Sequence, residues 1–246
     1  MTNKYGDEMA TKLSYYEDTY RFEDRAIINA TGIDEIGHFI LLDQTIFYPQ
    51  GGGQPSDTGT VKANDILIPI HFVKSIDDEV RHYTEKDYSN CVGVEALCSI
   101  NPEARIKHAK LHTSGHLIST VVEKLYPQLQ AIKGHHFPDQ CYVEFSSCSD
   151  YLDDFSLQLV QNELEKIIQQ DCTTSNIEVS GAQLKELCPN LPYSIPSNKQ
   201  MRVTRIGDFP YTPCGGTHVK SLKELEGLEI TKHKIKGKSL KISYRI

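Results

Sequence analysis

One stretch constrains this chain more than any other: residues 102–126, with a proline at the start and another just beyond the end. Asn101 brings a side-chain oxygen to the orphan N–H groups of a helix start, Pro102 suits the first helical position, and Glu103 sits at the positive end of the dipole. Apolar residues then recur at helical spacing through Ile106, Ala109, Leu117, Val121 and Leu125, until Pro127 stops the run. The pattern predicts a helix of about seven turns. The rest of the chain predicts strands and further helices, and helices packed on one face of a mainly antiparallel sheet make the expected fold class α+β.

Upstream, from Tyr20 to about Lys86, short runs rich in Ile, Val, Phe and Tyr are punctuated by Gly, Asn and Asp, which predicts a small antiparallel β-barrel or sandwich, the barrel being favoured. Downstream, the pattern predicts a strand at Cys141–Phe145 and a helix from Leu152 to Gln170. A strand at Asn176–Val179, a helix at Ala182–Leu187, a strand at Met201–Ile206 and a hairpin turning at Lys236-Gly237-Lys238 follow. The expected organisation is an N-terminal β-barrel domain over 1–92 and an α+β domain over 93–246, with helices packed on an antiparallel sheet. No periodicity is clear between residues 86 and 100, where the linker is placed.

The chain's 246 residues are 39% hydrophobic and 24% charged, which excludes a disordered or collagen-like polymer. No apolar run reaches the ~18–20 residues of a membrane span. Seven irregularly spaced cysteines and a polar N-terminus fit a reduced, cytoplasmic protein better than a disulfide framework. The net charge of −7 is unevenly laid out, with +5 over residues 220–246 and −12 over the rest. The alternating basic run Ile230, Lys232, Lys234, Ile235, Lys236 fits either a phosphate-facing sheet or a solvated edge strand.

The long helix places His112 and His116 one turn apart on one face, about 5–6 Å apart at Cβ. Far downstream, Cys214-Gly215-Gly216-Thr217-His218 supplies a thiol and a third imidazole, with two glycines that let the backbone turn sharply. Either half alone is ordinary: a pair of packing histidines, or a buried thiol in a tight loop. Together, two nitrogens on a helix and a sulfur–nitrogen pair on a loop make a zinc-like set. His108 lies one turn earlier on the same stripe and flanks it. Thr113 stands where a zinc peptidase places its Glu base, so peptide hydrolysis is not expected. The stretch from Gly51 to Gly59 (GGGQPSDTG) reads on its own as a hairpin connection, since it lacks the Lys and hydroxyl of a phosphate loop.

The segments HTSGHL (from His112), CGGTHV (from Cys214) and YPQGGGQPSDTG (from Tyr48), in this order, resemble the editing domain of alanyl-tRNA synthetase. They resemble still more its free-standing relatives, the alanyl-tRNA editing proteins, in the medium-length form that keeps the Gly-rich domain. The resemblance runs from about Tyr20 to Ile246. It implies an ATP-independent hydrolase that deacylates tRNA(Ala) mischarged with serine or glycine. One zinc ion per chain would be held by His112, His116, Cys214 and His218. The glycines Gly51, Gly52 and Gly53, with Gln54 and Asp57, would shape the active site, Gln54 with a catalytic part. A monomer is expected, without membrane attachment.

Rejecting an alanyl ester calls for a group that hydrogen-bonds the seryl hydroxyl. Thr113, Ser114 and Thr217 are the hydroxyls nearest the metal in sequence, and the two threonines are the favoured pair. Candidates for phosphate contact are Arg105, Lys107, Lys110, Lys133 and the basic C-terminal hairpin. One departure stands out: Ile132 occupies the position, two before Gly134, where synthetase editing domains commonly carry a Gln. His135 or His136 is the available substitute. This departure sustains an alternative, a zinc-stabilised tRNA- or partner-binding module without hydrolysis. A further alternative is an editor of another amino acid or a hydrolase of small esters. Whether zinc activates water, anchors the α-amino group or is structural stays open at this level.

Overall fold

The computed structural model describes residues 11–147, 155–188, 197 and 200–246. The chain separates into two compact units, Met1–Lys107 and His108–Ile246. The fold is α+β, with three α-helices and antiparallel sheets among the described residues.

The first unit opens with β1 (Lys12–Leu13), β2 (Glu23–Ile33), β3 (His38–Leu42) and β4 (Gln44–Thr45). It continues with β5 (Gly59–Ala63), β6 (Ile66–Ile70), β7 (Phe72–Ile76), β8 (Glu79–Thr84) and β9 (Glu95–Ile100). β1 and β4 form a small parallel pair. The others make one seven-stranded sheet in the order β6-β5-β9-β2-β3-β8-β7, and β2 pairs with β9 through its first half and with β3 through its second. Ile28, Ile40, Leu42, Phe47, Val61, Ile68 and Val73 belong to its buried core. No ladder joins the edges β6 and β7 among the described residues, so the expected closed barrel is an open half-barrel.

Two features of this unit differ from the sequence expectation. Residues 86–100, read as a linker, contain β9, which pairs on both sides with β2 and β5. Its buried positions, Ala96, Cys98 and Ile100, alternate with period two, but small side chains carry the alternation. The division therefore falls at Lys107/His108, after β9, and not at 92/93. The Gly-rich stretch closes as a tight hairpin through reciprocal Gly51–Gln54 backbone hydrogen bonds of 3.2 and 2.8 Å. Gly52 and Gly53 take φ of +52° and +77°, the signs that a primed two-residue turn demands.

Helix α1 (Pro102–Leu125) starts within the first unit and continues into the second, capped as expected by the Asn101 side chain, which accepts from the Ala104 N–H at 3.1 Å. The second unit adds β10 (Leu129–Phe137), β11 (Gln140–Ser147), α2 (Leu157–Gln169), β12 (Thr174–Ser180) and α3 (Gly181–Leu187). It ends with β13 (Gln200–Ile206), β14 (Thr212–Pro213), β15 (Glu229–Lys236) and β16 (Ser239–Arg245). Among the described residues this unit forms two antiparallel sheets where one was expected: β10-β11-β16-β15 and the smaller β12-β13-β14. Leu117, Ile118 and Val121 of α1 and Val160, Leu164 and Ile167 of α2 pack with Val143, Phe145, Leu240 and Ile242 of the larger sheet. The predicted helix start at 152–154 lies outside the described residues; α2 begins after Ser156, whose hydroxyl caps it. β10 went unread because a bulge between Ala131 and Lys133 breaks its alternation and leaves Ile132 60% exposed.

Candidate metal centre

Four side chains from two places in the chain converge in the second unit. α1 presents His112 and His116 one turn apart, ring centroids 5.0 Å from each other. The loop after β14 brings Cys214 and His218 to them: the Cys214 Sγ lies 3.5 Å from His112 Nε2 and 3.2 Å from His218 Nε2. One ligand atom from each of the four lies within 4.8 Å of all the others. Bonds of about 2.0–2.3 Å in a tetrahedron separate ligand atoms by about 3.3–3.8 Å, so a sulfur and three imidazole nitrogens at these spacings fit one zinc-sized ion. Burial holds all three rings neutral: His116 is lowered to about 4, and His112 and His218 go well below their ordinary value. Burial alone pushes the Cys214 thiol up, and an ion is what would draw its proton off.

A second layer orients these side chains. Thr113 Oγ1 donates to the Ala109 carbonyl at 2.8 Å and accepts from the Val219 N–H at 3.2 Å. Its remaining lone pair therefore accepts from His218 Nδ1–H at 3.1 Å, which fixes the tautomer and frees Nε2 as a ligand. The favoured substrate-contact role of Thr113 does not hold, because its one proton and both lone pairs are committed inside the protein. Ser114 Oγ is buried without a hydrogen-bond partner among the described residues, while Thr217 is fully buried in the loop. Arg202 of β13, unmarked in the sequence reading, donates from one guanidinium nitrogen to the Gly216 and Cys214 carbonyls at 2.6 and 3.3 Å, clamping the loop that carries two ligands.

His135 and His136, the available substitutes for the missing Gln, part company. On a strand they face opposite ways: His135 stacks on Tyr142, whereas His136 is buried and stacks on His112 with centroids 4.7 Å apart. Tyr244 donates to the Leu111 carbonyl at 2.9 Å, so it accepts from His136 Nδ1–H at 2.5 Å and leaves His136 Nε2 as an acceptor. Burial lowers this ring to about 3. The pattern KISYR, alternating inward at Ile242 and Tyr244, is the signal that could have found Tyr244.

Other sequence candidates fall elsewhere. Arg105, offered for phosphate contact, is fully buried and forms an ion pair with Asp57, itself 1% exposed; its guanidinium also donates to the Thr19 carbonyl at 3.0 Å. Asp57 further accepts from the Tyr48 N–H at 2.6 Å. Both are structural groups of the first unit, because a buried charge satisfied on every side has nothing left for a ligand. Gly51, Gly52, Gly53 and the buried Gln54 belong to that same unit. Lys133 is exposed on β10, and Ile132 lies in the bulge beside it.

Residues 5–103 match the family model for tRNA synthetases class II (A), and residues 201–241 match the one for the threonyl and alanyl tRNA synthetase second additional domain. Fold and site thus define a module of the kind that aminoacyl-tRNA synthetases carry. An alanyl-tRNA editing protein AlaX-M of Methanosarcina barkeri is 30% identical over 95% of this chain and 98% of its own. Its Pyrococcus horikoshii counterpart is 31% identical over 87% of this chain and 88% of its own. The longer AlaX-L of the latter organism is 31% identical over 92% of this chain, which spans 55% of that relative. The chain belongs to the alanyl-tRNA editing protein family.

Proposed function

We propose that the chain is an aminoacyl-tRNA deacylase, a carboxylic ester hydrolase acting in trans on tRNA(Ala) that carries serine or glycine, with one zinc ion held by His112, His116, Cys214 and His218. The convergence of one thiol and three neutral imidazoles within 4.8 Å carries the reading, together with the editing function in the relatives' names. An aminoacyl ester on a ribose oxygen is already reactive, so the site has only to position water and stabilise the oxyanion. When bound, zinc supplies a fixed positive charge, and four protein ligands complete its usual shell. His136 Nε2, held as an acceptor by the Tyr244–Leu111 contacts, takes the N–H or O–H of substrate or water that the absent Gln would have met. Thr217 and Ser114 are the proposed recognition groups of the second unit, and Gln54 and Gly51–Gly53 those of the first. The domain roles follow: a Gly-rich half-barrel unit and a metal-binding editing unit.

The test is metal analysis combined with deacylation of seryl-, glycyl- and alanyl-tRNA(Ala). The expected result is one zinc per chain, ester release from the seryl and glycyl forms, and an intact alanyl form. Cys214→Ala should lower metal content and turnover together. Zinc binding without ester release would leave a binding module, and equal turnover of a small seryl ester would point to a general esterase.

A further inference from the structure

The sheet β10-β11-β16-β15 has two unlike faces. One carries Val143, Phe145, Leu240 and Ile242 into the core. On the other, the register sets His135, Tyr142, Ser243 and Lys232 in one cross-strand row, and Lys133, Glu144, Lys241 and Lys234 in the next. Lys236 follows beside Ser239. Lys133, Lys232, Lys234 and Lys236 are exposed. The rings of Phe137, His135 and Tyr142 pile on one another at centroid distances of 4.5 and 5.1 Å, and the Lys241 ammonium sits 3.2 Å over the Tyr142 ring.

This face carries a cost for the free protein. Lys234 and Lys241 are direct cross-strand partners, an arrangement of like charges that destabilises a sheet. Glu144 lies 3.6 Å from Lys241 and partly offsets that charge. Protecting the edge strand β15 explains a lysine there. It does not explain why Lys232, Lys234 and Lys236 share one face with Lys241 of the interior strand β16. Alternate strand residues recur every ~7 Å, the order of the spacing between successive phosphates along a nucleic-acid strand.

We infer that this sheet face is the docking surface for the sugar-phosphate backbone of the tRNA, with Lys232, Lys234, Lys236 and Lys241 as the phosphate contacts. The inference rests on the tRNA reading above and adds where the partner sits. The test uses uncharged tRNA(Ala), whose binding needs no chemistry, titrated onto the full chain between 50 and 200 mM salt, conditions chosen from the range over which counterion release is read. Lys232→Glu/Lys234→Glu/Lys236→Glu should weaken binding more than tenfold and flatten the salt dependence by about one log unit per lost phosphate contact. The triple Gln variant should do so to a lesser degree, and Lys185→Glu should change neither quantity. Hydrolysis of a small seryl ester should stay at the wild-type rate, which separates docking from catalysis. If the wild type binds and deacylates tRNA while the triple variants keep its affinity and salt slope, the docking face is wrong and the deacylase reading survives. If the wild type binds no tRNA at 50 mM salt, both fall.

Discussion

The Thr113 hydroxyl has one proton and two lone pairs, and each is spent on holding His218 with its Nε2 free. Thr113→Val removes that orientation and is expected to weaken zinc binding by about 10–100-fold, the usual cost of losing an outer-shell partner. Thr113→Ser keeps the oxygen and should retain most of the affinity; competition with a chromogenic chelator measures both. Arg105 and Asp57 present the opposite case, a pair that no ligand reaches. Arg105→Ala strands a buried carboxylate and should cost about 3–5 kcal/mol of unfolding free energy in urea. Arg105→Met/Asp57→Leu should recover much of it. The four residues that could hold a metal were legible because their spacing is local, one helical turn and one short loop. The Arg105 pairing was not, since a sequence shows a cation and conceals a partner 48 residues away.

Helix α1 carries a glycine in its interior, where glycine costs about 1 kcal/mol relative to alanine. The reason lies across the unit: a Cβ at Gly115 would stand 2.2 Å from His136 Cε1, and one at Gly134 would stand 2.4 Å from His136 Nε2. Both glycines clear space for one imidazole. Gly115→Ala, which raises helix propensity, is therefore expected to displace His136 and its Tyr244 contact. Deacylation of seryl-tRNA(Ala) should fall well over tenfold while zinc content stays near one per chain. In sequence, HTSGH shows two histidines one turn apart and a spacer; that the spacer must be small depends on β10, whose bulge breaks its alternation. The long helix was legible because Asn101, Pro102 and Pro127 mark its ends in the sequence. β9 was missed because Ala96 and Cys98 alternate in burial without alternating strongly in hydropathy.

At the scale of the molecule, acid acts on both units in the same direction, through histidines that burial keeps neutral. In the second unit, protonation would compete with a metal held by the same nitrogens, so a metal-loaded protein should release its ion as pH falls. In the first unit, His82 is fully buried, with Nδ1 3.3 Å from the Ile40 carbonyl and Nε2 accepting from Thr45 Oγ1 at 2.7 Å, and burial lowers it to about 4. Above its ordinary value near 6.5, neither the folded nor the unfolded form carries the proton. As pH falls from about 6.5 to about 4, the unfolded chain takes it up and the folded chain does not. Stability therefore drops by about 1.4 kcal/mol per unit, about 3 kcal/mol across the window. Below about 4 the folded ring protonates too, and this slope ends. His82→Gln keeps a polar partner for Thr45 and removes the titration. Urea unfolding of the zinc-loaded wild type and variant at half-unit steps from pH 7 to 4 should show the wild type losing about 3 kcal/mol more than His82→Gln, with the metal-linked loss common to both. Parallel curves would mean that His82 is protonated alike in the folded and unfolded chains.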